Sequence, residues 1–240
     1  MIAVFSDVHG NAHALEAVLN DARSAGARDF YSLGDVVGYG AHPARCVELV
    51  EETASVKVFG NHDAAVLNPA VARQFRAHAR TAVDWTRDAL SERDLERLEA
   101  YEFVTCRHGA RLVHASPVRP EDWTYILRSR DAEQAMRAVA EDICFVGHTH
   151  TAEAYVVRDG IAERTCDASV APPDGGSLLV NVGSVGQPRD GDPRASYALF
   201  DSRARTVSFR RVEYDHASAA RDILAAGLPH RLADRLESGR

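Results

Sequence analysis

Five short apolar runs in this chain each end in a residue able to bind a metal ion, and that recurrence constrains the fold more than any other feature. Ile2–Phe5 leads through Ser6 into Asp7-Val8-His9, Phe30–Leu33 through Gly34 into Asp35, and Val56–Phe59 through Gly60 into Asn61-His62-Asp63. Leu112-Val113 runs into His114, and Ile143–Val146 passes through Gly147 into His148-Thr149-His150. Apolar runs of this length read as buried strands. In open α/β sheets, ligands collect outside the carboxyl ends of the strands. Five such ends on neighbouring parallel strands would bring their side chains into one crevice, with Gly34, Gly60 and Gly147 permitting sharp exits.

Helical patterns separate the first runs. Asn11 to Ala25 carries apolar residues at Ala14, Leu15, Val18 and Leu19, and a second helix is expected from Pro43 to Val50. This β-α-β-α-β rhythm implies a parallel sheet with helices against it. Val71 to Glu99 also looks helical, with Ser91 as a cap candidate. Strands return at Phe103–Cys106 and Arg111–His114, then at Ala154–Val157, Leu178–Val180, Tyr197–Phe200 and Thr206–Val212, before Asp215–Arg235 closes the chain with helical patterning. Ala168–Gly176, with two prolines and two glycines, reads as a loop rather than a linker. The 240 residues show no internal repeat and suffice for a substantial core. One domain spanning 1–240, with two sheets, is the simplest account.

The donor types select a class of metal. Carboxylates, an amide oxygen and imidazoles without thiolate suit manganese, iron, zinc, nickel or cobalt, whereas four imidazoles disfavour calcium. Seven candidate ligands, namely Asp7, His9, Asp35, Asn61, His114, His148 and His150, are too many for one tetrahedral zinc. They suit two divalent ions about 3.5–4 Å apart that share a bridging carboxylate.

In these motifs the chain resembles the calcineurin-like metallophosphoesterase superfamily. Asp7-x-His9, Gly34-Asp35, Gly60-Asn61-His62-Asp63, His114 and Gly147-His148-x-His150 arrive in the family's order, and Asn181-Val182-Gly183-Ser184 is similar to the Asn-Pro-Gly-Ser motif of its small bacterial and archaeal phosphodiesterases. The resemblance implies a four-layer α/β/β/α sandwich with two face-to-face mixed sheets. It implies one metal on Asp7, His9 and His150, a second on Asn61, His114 and His148, and Asp35 bridging both, with manganese as the foremost metal. It further implies attack on phosphorus by a water or hydroxide between the ions, with His62 as the non-ligand histidine that gives a proton to the leaving oxygen.

Departures from the pattern narrow the substrate. The family's phosphoprotein phosphatases carry Gly-Asp-x-Val-Asp-Arg-Gly after the bridging aspartate. Here Gly38 and Tyr39 stand where the second Asp and the Arg would be. That argues against a protein phosphatase or a close diadenosine-polyphosphatase relative, and it leaves His62 without an assigned orienting partner, with Asp63 a candidate substitute. Arg189, in Gln187-Pro188-Arg189-Asp190, could hold a substrate phosphate bidentately. Asn181, Ser184 and Tyr39 are further candidates for the lining of the pocket, with turn chemistry and ordinary packing as their alternatives.

Charge and cysteine content bound what remains. A net charge of −7 gives little general attraction to nucleic acid, so a nuclease ranks below hydrolysis of a small phosphorylated substrate, a nucleotide being one option. A catalytically silent scaffold on the same fold is the other alternative, and the intact His62 counts against it. Cys46, Cys106, Cys144 and Cys166 show no Cys-x-x-Cys spacing and are expected to be free thiols. No stretch approaches the roughly 20 apolar residues of a spanning helix, and the N-terminus resembles no signal peptide. A cytoplasmic protein is expected. His13, His42, His78, His108, His216 and His230 lack any motif and read as structural or surface residues.

Overall fold

The alternation of side chains along a strand decides which layers each sheet must touch. In β1 (Ile2–Phe5), Ile2 and Val4 face one side and Ala3 and Phe5 the other, and all four are buried. A strand buried on both faces needs a layer on each. The computed structural model describes residues 1–240 and supplies both layers.

The first sheet runs in the order β3 (Val56–Lys57), β2 (Asp29–Ser32), β1, β11 (Ala195–Asp201), β12 (Thr206–Val212) and β9 (Ser169–Val170). β1, β2 and β3 are parallel, and β11 returns antiparallel to β1. The second sheet runs β4 (Val104–Arg107), β5 (Ala110–Val113), β6 (Ile143–Val146), β10 (Ser177–Val182), β7 (Ala152–Arg158) and β8 (Ile161–Thr165). Here β5, β6 and β10 are parallel.

Between the sheets, Val4, Tyr31, Leu33 and Phe200 meet Leu112, Phe145, Leu178 and Val180. Outside the first sheet, Leu15, Val18 and Leu19 of α1 (Ala12–Ser24) and Val47 and Val50 of α2 (Pro43–Thr53) cover Phe5, Phe30 and Tyr197. Outside the second, Ala132, Ala135 and Met136 of α7 (Ser129–Arg137) cover Cys144, Val146 and Tyr155. The result is the α/β/β/α sandwich of two mixed sheets that the resemblance implied. All four cysteines are free, with Cys46 and Cys144 buried. No helix is long and apolar enough to cross a membrane.

Several elements differ from the sequence reading. The five ligand-bearing ends do not lie on neighbouring strands of one sheet. Three leave the first sheet and two leave the second, and the sandwich brings the two groups face to face. The expected third strand is cut to Val56–Lys57, because Phe59 hydrogen-bonds to Glu102 instead of extending the ladder. The helical stretch 71–99 is three helices with α3 (Asn61–Leu67) before them: α4 (Pro69–Ala72), α5 (Ala77–Ala89) and α6 (Glu92–Glu99). Ser91 does cap α6, accepting from the Asp94 amide at 3.3 Å. The break before α5 turns Phe75 inward against His62, at 4.8 Å between ring centroids. The closing helix is likewise two, α8 (His216–Ala225) and α9 (His230–Ser238), split by Gly227-Leu228-Pro229. The sequence reading omitted α7, β8 and β9.

Candidate metal centre

The site begins with strained backbone. Asp7, His9, Asp35, Tyr39, His148 and His150 all have positive φ, between 51° and 68°. Left-handed conformation costs a non-glycine residue roughly 1–2 kcal/mol, so six such residues at one place mark a functional cluster that its surroundings hold in shape. Hydrogen bonds beyond the strand ends do the holding. The amides of Asp7 and His9 donate to the carbonyls of Gly34 and Asp35 at 3.0 and 2.9 Å, and Gly147 donates to His114 at 2.8 Å. Side chains would not fit at the three glycine exits: a Cβ at Gly34 would strike the Gly60 backbone, one at Gly60 would strike Asp35, and one at Gly147 would strike Ser6 and Asp7.

The seven predicted ligands come together and are buried. Asp7, His9 and His150 form one group, and Asp35, His114 and His148 another, each with donor atoms within 4.8 Å of one another. Asp35 Oδ2 serves both: His9 Nε2 lies 3.7 Å from it and His114 Nε2 3.4 Å. Its other oxygen, Oδ1, accepts from the His62 amide at 2.7 Å. Asn61 Oδ1 joins the second group, 3.2 Å from His114 Nε2.

Tautomers can be read from the partners. The Nδ1 atoms of His9, His114 and His150 face the carbonyl oxygens of Val37, Leu33 and Gln187 at 3.2, 2.8 and 2.6 Å. A carbonyl only accepts, so each Nδ1 carries the proton and each Nε2 a lone pair in the neutral ring. His9 Nε2 and His150 Nε2 then point lone pairs at each other across 3.1 Å. Asp7 Oδ1 is buried with no hydrogen-bond donor and lies 3.2 Å from His150 Nε2. Facing lone pairs repel unless a cation lies between them. Metal–ligand bonds of about 2.0–2.2 Å give polyhedron edges of roughly 3.0–3.5 Å, close to these separations. The residues fit two divalent ions, and the carbonyls that fix the imidazoles are the outer partners such ligands require.

Electrostatics agree with that use. Burial opposes ionisation of Asp35, but His114 and the other imidazoles hold its carboxyl below the usual range. Asp7 is likewise held well below by His150 and His9 against its burial. Burial would lower His114, yet Asp35 and Asp7 raise it to about 9. His148 and His150 fall to about 3 and about 4, chiefly through burial.

His62 lies beside the ligands, its donor atom within 4.8 Å of those of His9 and Asp35. Burial drives its pKa well below the ordinary value. No carboxylate orients it: Nδ1 is buried without a partner, and a Cβ at Gly38 would strike it. The ring is wedged instead between Tyr39, His9 and Phe75, with centroids 4.4, 4.7 and 4.8 Å away. The suggested partner Asp63 does not reach it. Asp63 accepts from the amides of Asp35, Gly60, Val36 and Val37 at 2.8, 3.1, 3.0 and 3.2 Å, pinning the turn that carries Asp35.

The remaining candidates divide. Tyr39 and Arg189 line the cleft over the site, with the guanidinium 5.7 Å above the phenol ring. Asn181 and Ser184 are buried, and their polar atoms are committed to the framework. Asn181 Nδ2 donates to the Gly147 carbonyl and Thr149 Oγ1 at 2.7 and 2.8 Å. Ser184 Oγ donates to the Asp7 carbonyl and accepts from the Gln187 amide, both at 2.8 Å. Their geometry is that of braces for the ligand loops. Tyr125, stacked on His148 at 4.0 Å and 22°, and Phe75 were not found from sequence, because both sit in irregular segments without periodicity. His13 and His42 meet Asp222 at 2.8 and 3.3 Å in a separate, partly exposed group that ties α1 to α8.

Comparison with known proteins bears on this geometry. The profile of the calcineurin-like phosphoesterase superfamily domain matches residues 1–205. An uncharacterised protein of Methanocaldococcus jannaschii is 36% identical over 244 residues, covering 100% of this chain and 98% of its own. The crystal structure of a metallophosphoesterase from Sphaerobacter thermophilus is similar at 41% identity and a TM-score of 0.88, over 100% of this chain and 98% of that one. A hypothetical protein from Pyrococcus horikoshii shares the fold at 22% identity and a TM-score of 0.82, over 100% and 99% of the two chains.

Proposed function

Because the chain belongs to the calcineurin-like phosphoesterase superfamily, we propose that it hydrolyses a small phosphodiester or phosphomonoester, a nucleotide being one option, at a centre of two divalent metal ions. The observation that carries this reading is the position of Asp35 Oδ2, 3.7 Å from His9 Nε2 of one group and 3.4 Å from His114 Nε2 of the other. Asp7, His9 and His150 would hold one ion and Asn61, His114 and His148 the other. Their oxygen and imidazole donors suit manganese, iron, nickel, zinc or cobalt, and manganese is the metal we put first. Bound there, such ions would supply positive charge to the phosphoryl oxygens and would acidify a water for attack.

The protein's own residues do the rest. His62 faces the cleft as the proton donor to the leaving oxygen. Burial keeps it neutral in the free protein, so an anionic substrate must raise its pKa before it carries the proton. Arg189 neutralises phosphate and Tyr39 floors the cleft. Asp63, Asn181 and Ser184 act through the loops they brace. The whole chain, 1–240, is read as one cytoplasmic domain.

The test compares an aryl phosphomonoester and an aryl phosphodiester, using metal-stripped protein restored with manganese, nickel, zinc or magnesium. Metal-dependent turnover of one of them is expected. His62→Ala should lower kcat by about 10²–10⁴, and by more for an alkyl than for a nitrophenyl leaving group, which needs less help from an acid. No turnover with any metal would favour a scaffold over an enzyme.

A further inference from the structure

A cleft of about 520 Å³ opens above Asn61 and His62, and its charge does not match that of the chain. The protein carries a net −7, yet Arg76, Arg189, Arg231 and Arg235 line this cleft and no carboxylate does. Elsewhere several arginines are paired with carboxylates, as Arg194 is with Asp192, Arg210 with Asp21 and Arg211 with Asp190, and unpaired ones such as Arg23 and Arg73 stand apart from one another in the chain. The cleft arginines have no such partner. Arg189 donates to Gln187 Oε1 at 2.8 and 3.3 Å, and Arg235 Nε to the main-chain oxygen of Arg240 at 2.6 Å. Arg231 and Arg235 stand four residues apart on α9, and so on one helix face.

The four charges converge. Partial burial and then Arg189, Arg231 and Arg76 lower the pKa of Arg235. Partial burial and all four arginines lower that of His78, which lines the same cleft. Crowded guanidiniums that the protein leaves unneutralised form a site for an anion, and their planar forks match phosphate in particular. One phosphoryl group at the metal centre would already meet the positive charge of the ions. Four further guanidiniums exceed what it needs.

We propose that the substrate carries a second phosphoryl group, held by Arg76, Arg189, Arg231 and Arg235 while the scissile group lies at the metal centre. This rests on the phosphoesterase reading above. Two of the four arginines come from α9, which lies outside the residues 1–205 that match the family domain. On this proposal α9 serves substrate selection as well as packing.

The test is calorimetric titration of the metal-loaded protein with adenosine 5′-monophosphate, α,β-methylene-adenosine diphosphate and adenosine 3′,5′-bisphosphate. Two geometries of the second phosphate are thus offered, and neither ligand requires turnover. At least one doubly phosphorylated ligand should bind about tenfold or more tightly than the monophosphate. Arg231→Gln combined with Arg235→Gln should remove most of that advantage. If that variant does not fold, Arg76→Gln, at an exposed residue, should reduce it. Equal binding of all three ligands by the wild type, or an advantage that survives in the folded variants, would overturn the proposal. Failure of the esterase reading has a different signature, the absence of metal-dependent aryl ester turnover, and leaves this ranking of ligands measurable.

Discussion

Asp63→Ala should cost far more than a typical substitution, although its carboxylate is assigned no contact with metal or substrate. The carboxylate accepts four backbone amides, those of Asp35, Val36, Val37 and Gly60, and is fully buried. A buried donor left without a partner costs about 1–3 kcal/mol, so four orphaned amides represent roughly 4–12 kcal/mol. Removing a buried carboxylate recovers several kcal/mol of desolvation, and here burial and Asp35 already push its pKa up to about 7. The net loss is expected to be about 3–5 kcal/mol, a large share of the 5–15 kcal/mol that a domain of this kind possesses. Urea unfolding at pH 8 measures it. Asp63→Asn keeps one acceptor oxygen but turns an NH₂ group toward donors, so it should lose an intermediate amount. A loss below about 1 kcal/mol for the alanine variant, or an asparagine variant as stable as wild type, would refute the account of this turn.

Two further predictions follow from the titrating groups. In metal-free protein, burial depresses His62, His148 and His150 while His114 is raised to about 9. Below pH 6.5 the unfolded chain takes up protons that the three depressed histidines refuse in the folded state, so stability falls as pH drops. Asp63, raised to about 7, offsets one of them, leaving a slope approaching about 3 kcal/mol per pH unit. Stability due to His114 is present below pH 6.5 and is lost as pH rises toward 9, so thermal unfolding temperature should peak near pH 6.5–7. A melting temperature flat from pH 5 to 9 would contradict this. Metal loading must also displace the His114 proton, so at pH 7 calorimetry in buffers of differing ionisation enthalpy should register at least one proton released per chain, with any ionisation of metal-bound water adding to it. No release would mean that His114 is not a ligand.

The candidate site was more legible in the sequence than the fold around it, for a physical reason. A ligand must sit where a strand ends, and the end of an apolar run is visible locally: Asp7, Asp35, Asn61, His114 and His148 each follow one. Which sheet a run joins is decided by contacts far along the chain. β5 and β6 therefore read as neighbours of β1 to β3, whereas they belong to the facing sheet. Neither break in the long helical stretches was read: the one at Gly227 and Pro229 lay in turn residues passed over as helix, and the one before α5, where Phe75 leaves the helical path to pack on His62, has no such marker. The arginine cleft was hidden for the same reason. Arg76 lies 113 residues before Arg189, and Arg189 lies 42 before Arg231 of α9, so the cluster forms only in the folded protein.

The central claim is a pair of metal ions bridged by Asp35, and anomalous diffraction from crystals of manganese-loaded protein tests it most directly. The account predicts two peaks about 3.5–4 Å apart, one among Asp7, His9 and His150, the other among Asn61, His114 and His148, with Asp35 Oδ2 between them. A single peak, or two peaks that do not share Asp35, would contradict it.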